Sequence, residues 1–145
     1  LCPGDMVDFT MVEDTAAWCV EHFHLDTLGV DPYLSRTLTQ RLMERGVNVV
    51  EIPQTMMSMS PAMKELERLI RARQMLHEHN TCARFCFGNV RCAVDGNENR
   101  KPMKNRSIGR IDMAVAWIIA MAVAILRMPA GPDINEHVLS EDWGV

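Results

Sequence analysis

A chain of 145 residues has room for one domain built around a single hydrophobic core. Its 48% hydrophobic and 23% charged residues are typical of globular proteins and exclude disordered, collagenous and low-complexity chains. The net charge of −4 is unevenly spread, because residues 36–127 carry all fifteen basic residues and only eight acids, a local charge of +7 between two acidic ends. A basic centre favours an anionic partner, although a solvated helical surface explains the charge equally well.

The first half of the chain alternates helical and extended patterns. Apolar residues at three- and four-residue steps predict amphipathic helices, and short runs rich in β-branched residues predict buried strands. Pro32 disfavours helix at Asp31 and ends a strand there, and Gly46 closes a helix in the usual C-terminal position. The predicted elements are a helix from Asp8 or Thr10 to about His24, a strand over 27–30, a helix over 34–45 and a strand over 47–52.

The second half continues the alternation as far as a long apolar helix. Ser60 as cap and Pro61 in the first turn predict the start of a third helix. The last helix is apolar nearly all round, so we expect it to be buried. The predicted elements are a helix from Ser60 to about Leu76, a helix over 80–87, a strand over 89–94, a polar loop to Arg106, a helix over 111–128 and a flexible acidic tail over 129–145.

Three features bear on the cellular setting of the chain. The longest apolar run, 113–126, is shorter than the roughly 20 residues of a transmembrane helix, and no signal peptide is apparent. Five scattered cysteines, an odd number, favour reduced thiols in an intracellular protein. Because the chain begins with Leu1 and not with methionine, we expect a fragment or a processed product.

Helices that alternate with strands predict an α/β fold with a mostly parallel sheet covered on both faces. In such sheets the active crevice lies at the carboxyl ends of the strands, where Asp31 stands. Asp112 is predicted to be a buried carboxylate in the first turn of the last helix. Either residue alone is explained structurally, Asp31 as a turn former and Asp112 as a helix cap.

Together the two carboxylates point to metal chemistry. Converging carboxylates repel each other unless a cation lies between them, and Mg²⁺ is held by one or two carboxylates with water and substrate phosphate. A basic loop just before Asp112 could bring a phosphate backbone to such an ion. The basic residues of this loop are Arg100, Lys101, Lys104, Arg106 and Arg110.

Several motifs follow one another in a recognisable order. They include Gly29-Val30-Asp31-Pro32-Tyr33, the segment 46–54, Met59-Ser60-Pro61-Ala62-Met63-Lys64-Glu65-Leu66-Glu67-Arg68, and Lys104-x-x-Ser107-x-x-x-Ile111-Asp112. In this order the motifs resemble the C-terminal nuclease domain of the large terminase subunit of tailed bacteriophages. The resemblance is collinear from Pro3 to about Leu126.

The resemblance implies an RNase H-like mixed sheet flanked by helices over residues 1–128. It also implies an endonuclease that hydrolyses phosphodiesters of concatemeric double-stranded DNA with two Mg²⁺ or Mn²⁺ ions. Asp31 and Asp112 would be two of three acidic metal ligands, and Lys104 would lie near the scissile phosphate. The third acid is expected on a strand preceding Leu1, so that the first strands are missing from this chain.

The implied partners are DNA, the terminase ATPase domain, the small terminase subunit and the portal, in the cytoplasm of a bacterial host and without a membrane. The family usually has glycine where this chain has Met113, which is expected to narrow the approach to Asp112. Together with the missing third acid, this predicts weak or no cutting. A sheet edge left open by missing strands is expected to favour a homodimer.

An alternative is a non-catalytic module that binds DNA or a protein partner through residues 100–110, with or without stabilisation by zinc. His77, His79, Cys82 and Cys86 are spaced so that imidazole and thiolate ligands could surround one tetrahedral ion. No Cys-x-x-Cys pair is present, and the terminase resemblance accounts for His77 without zinc. A pair of thiols packed together on a helix is the simpler interpretation of the two cysteines.

Overall fold

The computed structural model describes residues 8–23, 25–33, 36–76 and 79–127. The predicted alternation of helices and strands is confirmed in this part of the chain, and the predicted tail over 129–145 lies outside it. The elements are α1 (Phe9–Phe23), β1 (Leu28–Val30), α2 (Arg36–Glu44), β2 (Val49–Glu51), α3 (Met56–Arg71), α4 (Thr81–Asn89), β3 (Cys92–Val94), β4 (Arg100–Pro102) and α5 (Asp112–Arg127).

The first half of the domain is a β1–α2–β2 unit with α1 packed against α2. β1 and β2 pair in parallel, with Gly29 opposite Val50, as the sequence predicted for this part of the sheet. Ala16, Leu42 and Val49 belong to a small core between these elements. Glu13 is buried at the α1–α2 contact, where guanidinium groups of Arg41 and Arg45 lie 3.4 Å from its carboxylate oxygens. A buried charge is tolerated when such partners compensate it.

The third helix begins earlier than predicted. Thr55 caps α3, since its hydroxyl accepts the backbone N–H of Ser58 at 3.2 Å. The predicted cap Ser60 is wrong: it is 1% exposed inside the helix, and its hydroxyl accepts the backbone N–H of Arg100 at 3.1 Å. The helix ends at Arg71, short of the predicted Leu76, because Arg73 takes a left-handed conformation with φ of 55°.

The polar segment predicted as a loop contains a strand. β4 pairs antiparallel with β3, with Lys101 opposite Ala93. Asp95 organises the turn between them, because its Oδ1 accepts the backbone N–H groups of Asn97 and Asn99 at 2.9 Å each. The side-chain amide of Asn99, which donates to Asp95 Oδ2 at 3.0 Å, lowers the pKa of the Asp95 carboxyl most, and the backbone hydrogen bonds lower it further. In the described residues the sheet is thus divided into a parallel pair and a separate hairpin.

The main core lies between α3 and α5 and extends to the end of β2. Its buried members include Ile52, Met59, Leu66, Ile111 and Ile118. The prediction that α5 is buried on all sides is wrong, since Ala116, Ala120 and Ala124 are exposed on the side away from this core. Among the described residues, no helix is long and apolar enough to cross a membrane.

β1 and α5 run in opposite directions. Asp26, just before β1, pairs with Arg127 at the end of α5 at 3.1 Å. In the middle of the contact, a Cβ atom added at Gly29 would lie 2.6 Å from Ile119 Cγ2 and 2.8 Å from Val123 Cγ2. A side chain at this position would therefore collide with the helix. The carboxyl end of β1 and the N-terminus of α5 consequently lie at the same end of the domain.

Candidate metal and DNA site

Asp31 follows β1 directly, and both of its carboxylate oxygens accept a hydrogen bond. Oδ1 accepts the backbone N–H of Tyr33 at 3.1 Å, and Oδ2 accepts the side-chain N–H of Gln54. The bond from Tyr33 is the turn-forming contact expected from the sequence. The side chain of Asp31 is half-buried. Because a carboxylate offers about four acceptor positions, the group keeps capacity for a cation.

Asp112 lies in the first turn of α5, as predicted, and is its first residue, but the prediction that it is buried is wrong. Its side chain is 60% exposed, because the preceding Ile111 fills the core position and is itself 2% exposed. Lys104 Nζ lies 3.1 Å from Asp112 Oδ1. A negative charge at a helix N-terminus is stabilised by about 0.3 to 1 kcal/mol.

The packing of β1 on α5 brings Asp31 and Asp112 to the same end of the domain. Measured from the contact of Gly29 with Ile119, Asp31 lies two residues along the strand, which corresponds to roughly 7 Å. In the same direction, Asp112 lies seven residues along the helix, which corresponds to roughly 10 Å. Both acids therefore lie on the same side of this contact, toward the N-terminus of α5.

A second set of contacts connects the same two carboxylates. Lys101 Nζ donates to the backbone carbonyl of Gln54 at 3.4 Å, and the side chain of Gln54 binds Asp31. Lys104, three residues after Lys101, pairs with Asp112. Three residues span at most roughly 10 Å, so one short stretch of chain reaches from the surroundings of Asp31 to Asp112.

The loop between β4 and α5 is held by specific contacts. The hydroxyl of Ser107 accepts the backbone N–H of Arg91 at 3.2 Å and donates to the carbonyl of Met103 at 2.8 Å. Gly109 packs so closely on α4 that an added Cβ would lie 2.7 Å from Asn89 Nδ2. These contacts fix the position at which α5 begins, and with it the position of Asp112.

The five basic residues predicted to bind DNA have different surroundings. Arg100 pairs with Glu67 of α3 at 3.0 Å, so its charge is partly compensated. Lys101 donates a hydrogen bond to the backbone of Gln54, and Lys104 forms an ion pair with Asp112. Arg106 and Arg110 are exposed, and within the described part of the chain they form no ion pair. These two guanidinium groups are the cations most available to a phosphate.

Charge reversal at Arg106 and Arg110 together is expected to weaken DNA binding in a salt-dependent way. Each lost phosphate contact lowers the slope of log affinity against log salt by about 0.9, so the double variant should lose about 2. Titration of a DNA duplex at several salt concentrations measures this slope. Arg127→Glu is the control, since Arg127 is also exposed but lies at the opposite end of α5 from Asp112. An equal loss of slope in the control would contradict the assignment.

The described residues do not support the zinc alternative. Cys82 and Cys86 are neighbours on α4, where the Cys86 thiol raises the pKa of Cys82. In the part of the chain that the structure describes, no three His, Cys, Asp or Glu side chains are grouped to hold a metal ion. Of the four predicted ligands, His79, Cys82 and Cys86 belong to the described residues and form no such group, and His77 lies outside them.

Gln54 ends the segment 46–54, but no pattern in the sequence indicated a role for its side chain. An amide carries no charge and gives no recognisable pattern. A weak signal was nevertheless present: Gln54 follows the carboxyl end of β2 just as Asp31 follows the carboxyl end of β1, and parallel strands bring such ends together.

Comparisons with known proteins agree on one family. The family model described as "Terminase large subunit, endonuclease domain" matches residues 2–127. Protein YmfN of Escherichia coli (strain K12) is 32% identical over 144 residues, which cover 98% of this chain and 31% of that protein. The large terminase subunit of Enterobacteria phage HK97 is 27% identical over 124 residues, covering 84% of this chain and 25% of that protein.

The fold agrees as well. The crystal structure of the HK97 bacteriophage large terminase matches with a TM-score of 0.76 and 27% identity, over 84% of this chain and 26% of that one. This likeness confirms the predicted mixed α/β fold class. The chain spans between a quarter and a third of the length of these relatives. With nearly the whole described chain matched, the protein belongs to the endonuclease-domain family of terminase large subunits.

Proposed function

We propose that this chain is the metal-dependent endonuclease domain of a phage DNA-packaging terminase and hydrolyses phosphodiesters of concatemeric double-stranded DNA. The observation that supports this most is the packing of β1 on α5, which carries Asp31 and Asp112 toward one end of the domain, while Arg106 and Arg110 are exposed in the loop before Asp112. Family membership supports the reaction class, and the cationic loop supports DNA as the substrate.

The donor set fits a hard divalent cation. Asp31 holds one N–H on each oxygen and retains acceptor capacity, and Asp112 already accommodates the ammonium group of Lys104. One or two carboxylates completed by water and substrate phosphate are typical ligands of Mg²⁺, and the same set suits Mn²⁺. Asp31 and Asp112 would hold one such ion. A second ion, required by the two-metal mechanism, needs the third acid that the family resemblance implies.

A bound ion would supply an activated water at neutral pH and stabilise charge on the phosphoryl oxygens. The residues of the chain orient the metal ligand and attract the DNA. Gln54 and Tyr33 orient Asp31, and Arg106 and Arg110 draw the DNA backbone toward the same end of the domain. Lys104 neutralises Asp112 in the absence of an ion, and its ammonium group lies where a phosphate next to Asp112 would contact it.

The proposal extends to the setting of the domain. DNA packaging requires an ATPase domain, a small terminase subunit and a portal, which are the proposed partners of the protein that contains this domain. The proposed location is the cytoplasm of a bacterial host. We also propose that the chain forms a homodimer. Light scattering measures its molar mass in solution, which should be twice that of one chain.

A second candidate is a module that binds DNA without cutting it. The ion pair of Lys104 with Asp112 favours this candidate, because the ammonium group takes up one of the two carboxylates. A binding module predicts DNA affinity that depends on Arg106 and Arg110 and is indifferent to divalent ions.

The deciding experiment measures Mn²⁺ binding by calorimetry, together with nicking of supercoiled plasmid with and without EDTA. Because Met113 is expected to narrow the approach to Asp112, cutting should be slow, so ion binding is the primary readout. We expect Mn²⁺ binding and EDTA-sensitive nicking, both lost in the double variant Asp31→Asn/Asp112→Asn, whose DNA affinity persists. DNA binding without Mn²⁺ binding or nicking in the unaltered chain would favour the binding module.

A further inference from the structure

We propose that Gln54 is a positioning residue that fixes the Asp31 carboxylate in the orientation that receives the metal ion. The inference rests on the proposed function and adds a residue that contacts neither the ion nor DNA. It is carried by the contacts of Gln54 with Asp31 and with Lys101, which lie on two different parts of the site.

The backbone around Gln54 is held on both sides. Before it, the backbone N–H of Ile52 donates to the carbonyl of Val30 at 2.8 Å, which extends the pairing of β1 and β2 beyond the strands. After it, the backbone N–H of Thr55 donates to the carbonyl of Pro53 at 2.8 Å, and Thr55 caps α3. The half-buried Gln54 side chain therefore projects from a short, rigid connection between a strand and a helix.

The hydrogen bond from Gln54 restricts the rotation of the Asp31 carboxylate. The terminal torsion of an aspartate is broad when the group is free. In this structure Tyr33 holds one oxygen and Gln54 holds the other, so the plane of the carboxylate is set. Metal-ligating carboxylates commonly depend on such hydrogen-bonded partners, which orient the ligand before the ion arrives.

Gln54 also links Asp31 to the basic loop. Its backbone carbonyl accepts Lys101 Nζ at 3.4 Å, and the adjacent Arg100 is fixed to α3 through Ser60. A neutral amide is suited to this position, because it donates to Asp31 without adding charge beside a cation site. A glutamate here would instead repel Asp31 in the absence of an ion.

The test is Mn²⁺ affinity, measured by calorimetry on the chain carrying Gln54→Met. Methionine has a similar length but no N–H donor, and we expect a 10- to 100-fold weaker affinity, the usual cost of losing a partner of a metal ligand. Gln40→Met on α2 is the matched control, because Gln40 also donates to a carboxylate, that of Glu44 at 3.1 Å. The control should bind Mn²⁺ as the unaltered chain does.

A second readout separates positioning from folding. Without an ion, the two methionine variants should have similar melting temperatures, whereas the rise in melting temperature on adding Mn²⁺ should be smaller for Gln54→Met. If Gln54→Met does not fold, Gln54→Asn decides by the same criteria, since its shorter side chain keeps the amide but does not reach Asp31.

The outcomes distinguish this inference from the proposed function. If Gln54→Met binds Mn²⁺ as tightly as the unaltered chain while Asp31→Asn loses binding, Gln54 has no positioning role and the metal site stands. If Asp31→Asn also binds Mn²⁺ normally, or the unaltered chain binds none, the proposed metal site is wrong and the role of Gln54 is overturned with it.

Discussion

Replacing Asp31 by asparagine is expected to reduce Mn²⁺-dependent nicking by about 100-fold or more. Loss of a residue that merely supports a metal ligand typically costs 10- to 100-fold, so loss of the ligand's charge should cost at least as much. Asparagine keeps the size of the side chain and an oxygen that accepts the N–H of Tyr33, so the turn after β1 should persist. The rate is measured as plasmid nicking over a Mn²⁺ titration, with the melting temperature recorded in parallel.

Asp26→Asn is the matched control for this experiment. Asp26 lies just before β1, at the opposite end of the strand from Asp31, and its exposed carboxylate pairs with Arg127. Loss of an exposed ion pair costs about 0 to 1 kcal/mol of stability and should leave nicking unchanged. Measurable, EDTA-sensitive nicking that is equal in Asp31→Asn and the unaltered chain would remove Asp31 from the site. A similar loss of nicking in both variants would indicate that disturbance of β1, and not loss of a metal ligand, lowers the activity.

Met59→Ala is expected to lower the free energy of unfolding by about 2 to 5 kcal/mol. Met59 is 0% exposed in the core between α3 and α5, so alanine removes buried methylene and thioether groups and leaves a cavity. Met57, two residues away in the same helix, is 81% exposed. Met57→Ala should change stability by no more than about 0.5 kcal/mol.

Urea denaturation followed by circular dichroism measures both values. Equal destabilisation by the two substitutions would contradict the burial of Met59 and the exposure of Met57 within α3.

Local signals placed the two acids of the site at the correct ends of their elements. Pro32 stops the extended run after Asp31, and the apolar repeat that starts at Ile111 puts Asp112 in the first turn of a helix. Their common location was not contained in any local pattern. It follows from the antiparallel packing of β1 on α5. The resemblance to a family implied that the two acids share a site, and the spacing of residues alone did not establish it.

The sequence predictions that proved wrong share a physical cause. In each case the contacts of the folded chain decided the outcome, and the local pattern did not. Ser60 before Pro61 has the pattern of a helix cap, but its hydroxyl is used by the backbone of Arg100. β4 is built from Arg100, Lys101 and Pro102, which show no apolar alternation, and its pairing depends on the turn at Asp95. Asp112 was predicted to be buried from its apolar neighbours, although the neighbours alone face the core.

If Asp31 and Asp112 hold a metal ion as proposed, the close approach at Gly29 has a consequence for ion selectivity. The side chains of Ile119 and Val123 pack directly on Gly29, which has no side chain. This contact fixes the position of α5 along β1. A slip of one helical turn would move Asp112 by about 5.4 Å relative to Asp31. Mg²⁺ requires ligand oxygens at about 2.0 to 2.1 Å, whereas Ca²⁺ accepts longer and more varied distances. Discrimination between ions of different radius would then be governed by a glycine that touches neither the ion nor the DNA.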